Sequence, residues 1–442
     1  MAQSRRNLAA LVASNLLGGV GVASGVAVGA LLAERLGGTA IAGLAQAASV
    51  LGAAVAAVPL ATMAAKAGRR RALTLGYVLA VAGAVLIITA GIVGQLIVLL
   101  VGLGLFGVAQ ACNLQSRYAA ADDVPADRRA RTMSIVIWAT TIGSVAGPNL
   151  TAPGDRLGVS LGLPELVGPY LFSVVSFAAA ATVIGLLFRP TRAAGGVAAA
   201  AAAAAPPRAA QPVGPEPTAP APAPVPSGAE KVGALAALRW AAGNPRARFA
   251  VVLIASAHAV MVMVMVMTPL HMQHHGMTLE LIGIVISLHV LGMYALSPVW
   301  GWAADRFGTV RTALAGMAVE GTAVVLGYIA AFGDSELTMV ALTVLGLGWS
   351  GCVIAGSALL TAAAPERVRV PLQGATDAGM NYAGAGAAAL AGPILALGGF
   401  QGVNIAGAVL LVPAILTAVL AIRAGRAARV PVDESTTAPT PH

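Results

Sequence analysis

Charge is scarce in this chain. Of 442 residues only 10% are Asp, Glu, Lys or Arg, against 58% hydrophobic, and mean hydropathy is +0.85. Soluble domains carry about 25% charged residues, so a water-soluble globular protein is excluded. Cysteine is nearly absent as well. The two present, Cys112 and Cys352, lie inside apolar runs, which leaves no disulfide framework and no CxxC pair. Also missing are a Walker loop, an HExxH and a nucleophile elbow. Nucleotide-driven pumping and hydrolytic chemistry are therefore not expected, and neither an enzyme activity nor a resident cofactor is implied. His271-x-x-His274-His275 has a metal-like spacing but no carboxylate or thiolate partner for zinc.

What is present is hydrocarbon. Runs of roughly 20 apolar residues recur, each long enough to cross a bilayer. They predict twelve spans, at 8–32, 40–63, 72–93, 96–119, 131–152, 168–188, 247–270, 280–302, 311–332, 337–361, 372–397 and 401–422. The first is too long for a signal-peptide core, so no cleavable leader is expected. The expected class is an all-α membrane protein of two six-helix bundles with pseudo-two-fold symmetry.

The net charge of +9 does not point to nucleic acid, because the basic residues are segregated by loop. Of the 26 Lys and Arg, 24 fall on the side of the N-terminus; only Arg35 and Arg156 fall on the other. Basic loops mark the cytoplasmic face, so both termini are expected there, with at most a weak attraction for anionic lipid. The Ala-, Gly-, Pro- and Arg-rich, Lys-poor composition fits a bacterial cell membrane, and a monomer is expected.

Residues 189–246 change character to Ala runs and then PPRAAQPVGPEPTAPAPAPVPSGAE, an extended linker in composition. Its last part, ALAALRWAAGNPRAR, reads as a short interfacial helix. The expected organisation is a bundle at 1–188, the linker at 189–246, a second bundle at 247–424 and a tail at 425–442. The halves echo each other at four places: ATMAAKAGRRR and GWAADRFGTVR after spans two and eight, VGLGLFG and LGLGWSG in spans four and ten, GSVAGP and AALAGP in spans five and eleven, and PADRRAR and PERVR in the loops after spans four and ten. Six-span repeats about an axis along the membrane normal are the plan of one large transporter class.

On these motifs the chain resembles the major facilitator superfamily over nearly its whole length, linker and tail excepted. The family signature G-x-x-x-D-R-x-G-R is matched by Gly301, Asp305, Arg306 and Gly308. In the first half Ala61 and Ala65 stand where Gly and Asp belong, leaving Lys66, Gly68, Arg69, Arg70 and Arg71. The resemblance implies that these loops form an inner gate. Gly143, Gly147 and Pro148 are similar to a fifth-span motif of proton antiporters, and equally to ordinary close packing of small residues.

Seven of the thirteen methionines and five of the six histidines lie between His258 and Met293. Thioether and imidazole favour soft late first-row metals, Cu(I) above all. At 100° per residue His258, Met261 and Met265 share one stripe of span seven, with Met263 and Met267 on the other side; His289 and Met293 are neighbours on span eight. The expected site is Met261, Met265, His289 and Met293, with His258 deeper and Met263/Met267 as the alternative face. His271, Met272, His274, His275 and Met277 are expected in an outer capture loop. Mx3M followed by Hx3M is similar to copper importers of the same superfamily that supply haem–copper oxidase assembly, which implies copper handling by those residues. The competing reading is methionine as adaptable core filler and histidine as a proton carrier.

Glu320 and Asp377, the latter one turn from Asn381, are candidates for proton coupling, with packing or solvation as the alternatives. Asn15, Gln110, Cys112, Asn113, Trp349 and Cys352 are candidates to line a cavity. The composite expectation is a secondary transporter working by alternating access, with copper uptake as its task and copper its cargo. Export of lipophilic drugs or cations by proton antiport is the alternative, and a non-transporting copper assembly or sensor protein the third.

Overall fold

The computed structural model describes residues 2–122, 129–189 and 233–427. Most of the Ala/Pro-rich linker and the tail after Ala427 lie outside the described residues. All regular structure among the described residues is helical. The spans are α1 (Ala2–Gly37), α2 (Ala42–Ala67), α3 (Arg69–Val93), α4 (Leu96–Asp122), α5 (Arg129–Ala146, the 3-10 turn Gly147–Leu150, then Thr151–Ser160) and α6 (Pro169–Leu187). After the linker follow α7 (Pro245–His274), α8 (Leu279–Tyr294, then Ser297–Phe307), α9 (Thr309–Ala330) and α10 (Ser335–Ala363). The helical stretch Glu366–Ala427 divides at Gly399, φ 62°, ψ −167°, into α11 (366–398) and α12 (400–427). Among the described residues ten helical stretches are long and apolar enough to cross a membrane, α11 and α12 counting as one and α5 not among them.

Proline explains two of those breaks. Pro148 cannot donate back into α5, and the helix tightens to a 3-10 turn there. Pro298 likewise cannot bond the carbonyl of Tyr294, and α8 opens at Ala295 and Leu296; the Ser297 hydroxyl donates to that freed carbonyl at 2.7 Å. Pro269, by contrast, is carried inside an unbroken α7. That helix starts where the Asn244 side chain accepts from Arg246 N and Ala247 N, both at 3.1 Å. A short helix is present before α7 as Ala234–Gly243, burying Ala237 and Ala241 while Leu235 stays exposed.

The internal repeat is visible in the backbone. Gly68 and Gly308, at corresponding turns of the two halves, have φ/ψ of 92°/150° and 90°/146°. Only glycine enters that region without strain, so both turns demand the same residue. Lys66, Asp305 and Arg306 are exposed beside them, and the space around Gly301 is open.

Candidate functional site

The halves meet on the face away from the termini, here the far face. Small residues bring α2 against α11 and α5 against α8. Gly43 packs directly on the carbonyl of Ala388, and a methyl at Gly392 would lie 2.5 Å from the carbonyl oxygen of Ala40. A methyl at Gly283 would lie 2.5 Å from that of Pro148. Polar bonds add to this closure. The Asn149 amide donates to Ser287 Oγ at 2.8 Å, and that hydroxyl reaches the Val145 carbonyl at 2.8 Å. At the rim His274 Nε2 meets Glu34 Oε1 at 2.8 Å, Thr39 Oγ1 donates to the same oxygen at 2.6 Å, and Arg156 pairs with Glu280.

Toward the termini the halves part. Ala388, Asn381 and Asp377 lie within about 40° on one stripe of α11. Ala388 is fully buried against α2, whereas Asn381 and Asp377 are exposed. Just beneath the far-face contacts lies a cavity of about 20 Å³, room for little more than one water. Its lining comes from both halves: Gly25 and Gly29 of α1, Gln46 and Ser49 of α2, Phe106 of α4, Met265 and Pro269 of α7, and Ile286 of α8. Phe106 is held edge-on by Tyr170 and Phe177, at ring separations of 5.7 and 5.2 Å. The cavity sits against the closed far face, on the side toward which Asn381 and Asp377 are exposed.

This geometry is that of a solute carrier, and the comparisons agree. The model of the Major Facilitator Superfamily matches residues 8–278 and 249–441. The chain belongs to the Major Facilitator Superfamily. It is similar to the uncharacterized MFS-type transporters YdeG and YddS of Bacillus subtilis. With YdeG it shares 34% identity over 93% of this chain and 91% of that protein; with YddS, 32% over 93% and 90%. The riboflavin transporter RfnT of Brucella anthropi is 26% identical over 91% of this chain and 92% of its own length. Among solved structures, a bacterial homologue of the human lysosomal transporter Spinster, inward-facing and unoccupied, superposes with TM-score 0.65 at 15% identity, covering 95% and 97% of the two chains. A peptide transporter in complex with sulfate superposes at 0.62 and 17% identity, with 95% of each chain covered. These likenesses establish the fold.

Within this superfamily fold the expected metal residues are divided between two places. Met265 lines the cavity, and His258 lies seven residues away on the same stripe of α7. His289 is fully buried and turned to α10, its Nδ1 2.7 Å from the carbonyl oxygen of Leu342. It lies about 200° around α8 from Ser287, which faces the other half. Gly346 of α10 lies against the backbone of both His289 and Met293. Met261, Met263 and Met267 are buried in helix packing. His289 Nε2 has no hydrogen-bond partner.

The expected outer capture loop is corrected. α7 continues through His274, so His271 and Met272 are helical and buried, at 3% and 0% exposure. His271 stacks on Phe400 with centroids 4.2 Å apart and bonds the Ala330 carbonyl through Nε2 at 3.3 Å. His275 Nδ1 lies 2.9 Å from the His271 carbonyl oxygen. His274 alone of the three histidines reaches the opposite half.

The expected cavity-lining polar residues mostly hold each half together instead. Asn15 accepts from Thr140 Oγ1 at 3.1 Å, and Asn113 accepts from the Tyr77 hydroxyl at 2.9 Å. Cys112 is buried against Gly76 and Leu73. Gln110 is half-buried on α4. Glu320 is fully buried against Gly348 of α10, where the Cys352 thiol donates to its Oε2 at 3.6 Å. Trp349 Nε1 donates to His258 Nδ1 at 3.2 Å. Arg69 and Asp377 also have partners in the fold.

Sequence reasoning passed over Gln46, Ser49, Phe106, Tyr294, Asn149 and Ser287. A signal did exist for the last two, since a polar residue repeated at helical spacing beside Gly283 or Pro148 marks a face that needs a partner.

Proposed function

We propose that this chain carries a small organic solute across the bacterial cell membrane by alternating access. The observation that carries the reading is the cavity at the seam of the halves. Its lining of Phe106, Met265, Ile286 and the glycines of α1, with Gln46 and Ser49 as the polar groups, suits an apolar body with a few hydrogen-bonding atoms. With the basic loops read as cytoplasmic, the open side faces the cytoplasm and the conformation is inward-facing. RfnT, 26% identical, is named for a cargo, riboflavin, which is an organic molecule.

Copper is the second reading, favoured by one specific observation. The buried His289 Nε2 is unpartnered, and Met293 follows it by one turn of α8. A soft monovalent ion could use both without deprotonating either. Asp377 and Glu320 remain the carboxylates available for proton coupling in an antiport cycle.

The deciding experiment reconstitutes the full chain in vesicles and measures uptake of Cu(I) under reducing conditions beside a panel of radiolabelled organic solutes. Organic flux that falls on Phe106→Ala and Met265→Ala, with no copper flux, supports the first reading. Copper flux abolished by His289→Ala and Met293→Leu overturns it. Copper bound without flux of anything supports an assembly or sensor role.

A further inference from the structure

Below the cavity, on the open side of the seam, three rings from three helices of the second half come together. Gly283, Ser287 and Tyr294 share one stripe of α8, within about 40° of each other. Gly283 and Ser287 spend that stripe on α5, but Tyr294, about 10 Å nearer the termini at 1.5 Å per residue, stands where the halves have parted. The residue is 40% exposed. Behind it lies Trp349 of α10, edge-on at 6.2 Å and 79°. His258 of α7 lies beside Trp349, at 6.1 Å and 47°.

The hydrogen bond from Trp349 Nε1 orients the last ring. An imidazole nitrogen that accepts from indole must be unprotonated, so neutral His258 carries its proton on Nε2. The helix opposite Nε2 is at its barest there. A methyl on Gly384 would lie 2.9 Å from Nε2 and 2.7 Å from Cδ2. Gly384 is buried where α11 comes close to that edge, and the absence of a side chain there keeps the N–H from being capped by one.

An exposed tyrosine ring braced by tryptophan is a stacking platform, and an oriented N–H beyond it is a donor. Aromatic rings recognise other flat rings by offset or edge-to-face contact, and a neutral N–H seeks a carbonyl or ring-nitrogen acceptor. We propose that Tyr294, Trp349 and His258 form a subsite for a flat aromatic solute bearing a hydrogen-bond acceptor. The ring lies on Tyr294 and the acceptor takes the His258 proton. The proposal rests on the organic-solute reading and names the class of that solute. Met265 and the cavity lie on the same stripe of α7 as His258, so a solute held here is next to the closure that must open to release it on the far side.

The test uses matched probes, 1-naphthamide and its saturated counterpart decahydro-1-naphthamide, bound to the purified full chain in detergent and read by calorimetry. The flat amide is expected to bind tighter by about threefold to tenfold, the range that ring contacts supply. Tyr294→Ala removes that preference and Tyr294→Phe keeps it. His258→Phe retains the ring preference but erases the advantage of 1-naphthamide over naphthalene. Gly384→Ala weakens 1-naphthamide binding with the fold intact by thermal melting. Equal binding of the two probes, binding of neither, or an unchanged preference in Tyr294→Ala overturns the subsite. Such a result leaves the organic-solute reading standing as long as flux still depends on Phe106 and Met265; copper flux in its place would remove that reading separately.

Discussion

Two added methyl groups should push this transporter off its far-face-closed state. Gly392 and Gly283 sit at different inter-half contacts, and in each a Cβ would lie 2.5 Å from a backbone oxygen across the seam. Ordinary contact begins near about 3.4 Å, so each contact must open by about 0.9 Å, and neither oxygen can rotate aside as a side chain would. Overpacking of this kind costs about 1–3 kcal/mol per site, which is about 5-fold to 150-fold in the ratio of closed to open. Helix propensity runs the other way: alanine is favoured over glycine by about 1 kcal/mol inside a helix, whichever way the halves face. The substitutions therefore burden the closure and not the fold. Spin labels at the exposed far-face positions Ser160 and Gln273 report the separation of the halves by pulsed electron resonance, with both native cysteines buried. Gly283→Ala with Gly392→Ala should move the distance distribution to longer values. Gly321→Ala, where nothing lies within 4 Å of the new methyl, should leave it alone. An unchanged distribution in the double variant, or an equal change in the control, refutes the claim that backbone approach holds the face shut.

The ion pairs at that face should matter far less. Glu34 and His274 have side chains 17% and 47% exposed, and Arg156 and Glu280 are more exposed still, so each pair contributes about 1 kcal/mol at most, less in salt. Glu34→Gln should change the same label distances by under about fivefold in population, an effect reduced by 0.5 M salt; a shift matching that of the glycine variants would reverse this ranking. In the second half, Cys352→Ala removes the one donor to a fully buried carboxyl and should lower thermal stability by about 1–3 kcal/mol. Glu320→Leu with Cys352→Ala should recover most of that loss, since an apolar pair leaves nothing unsatisfied; loss of flux in the folded double variant would instead mark Glu320 as a proton carrier.

The hydrocarbon runs and the echoing turns at Gly68 and Gly308 carried the architecture, because bilayer thickness and turn geometry act on the chain locally. The site was legible only in part. His258, Met265 and Trp349 could be named from their presence in apolar spans. Periodicity places residues on a stripe of a helix, but it does not say which neighbour that stripe meets. His289 and Ser287 are two residues apart in equally apolar surroundings, yet one is turned into its own half and the other bonds the opposite one.

Membership of the membrane, its many crossings and the two-bundle plan thus follow from the order of residues alone, since each depends on length and hydropathy within one segment. The closed far face, the cavity beneath it and the meeting of Tyr294, Trp349 and His258 were decided by tertiary structure. Each depends on the distance between helices remote in the chain, and glycines at the contacts set that distance.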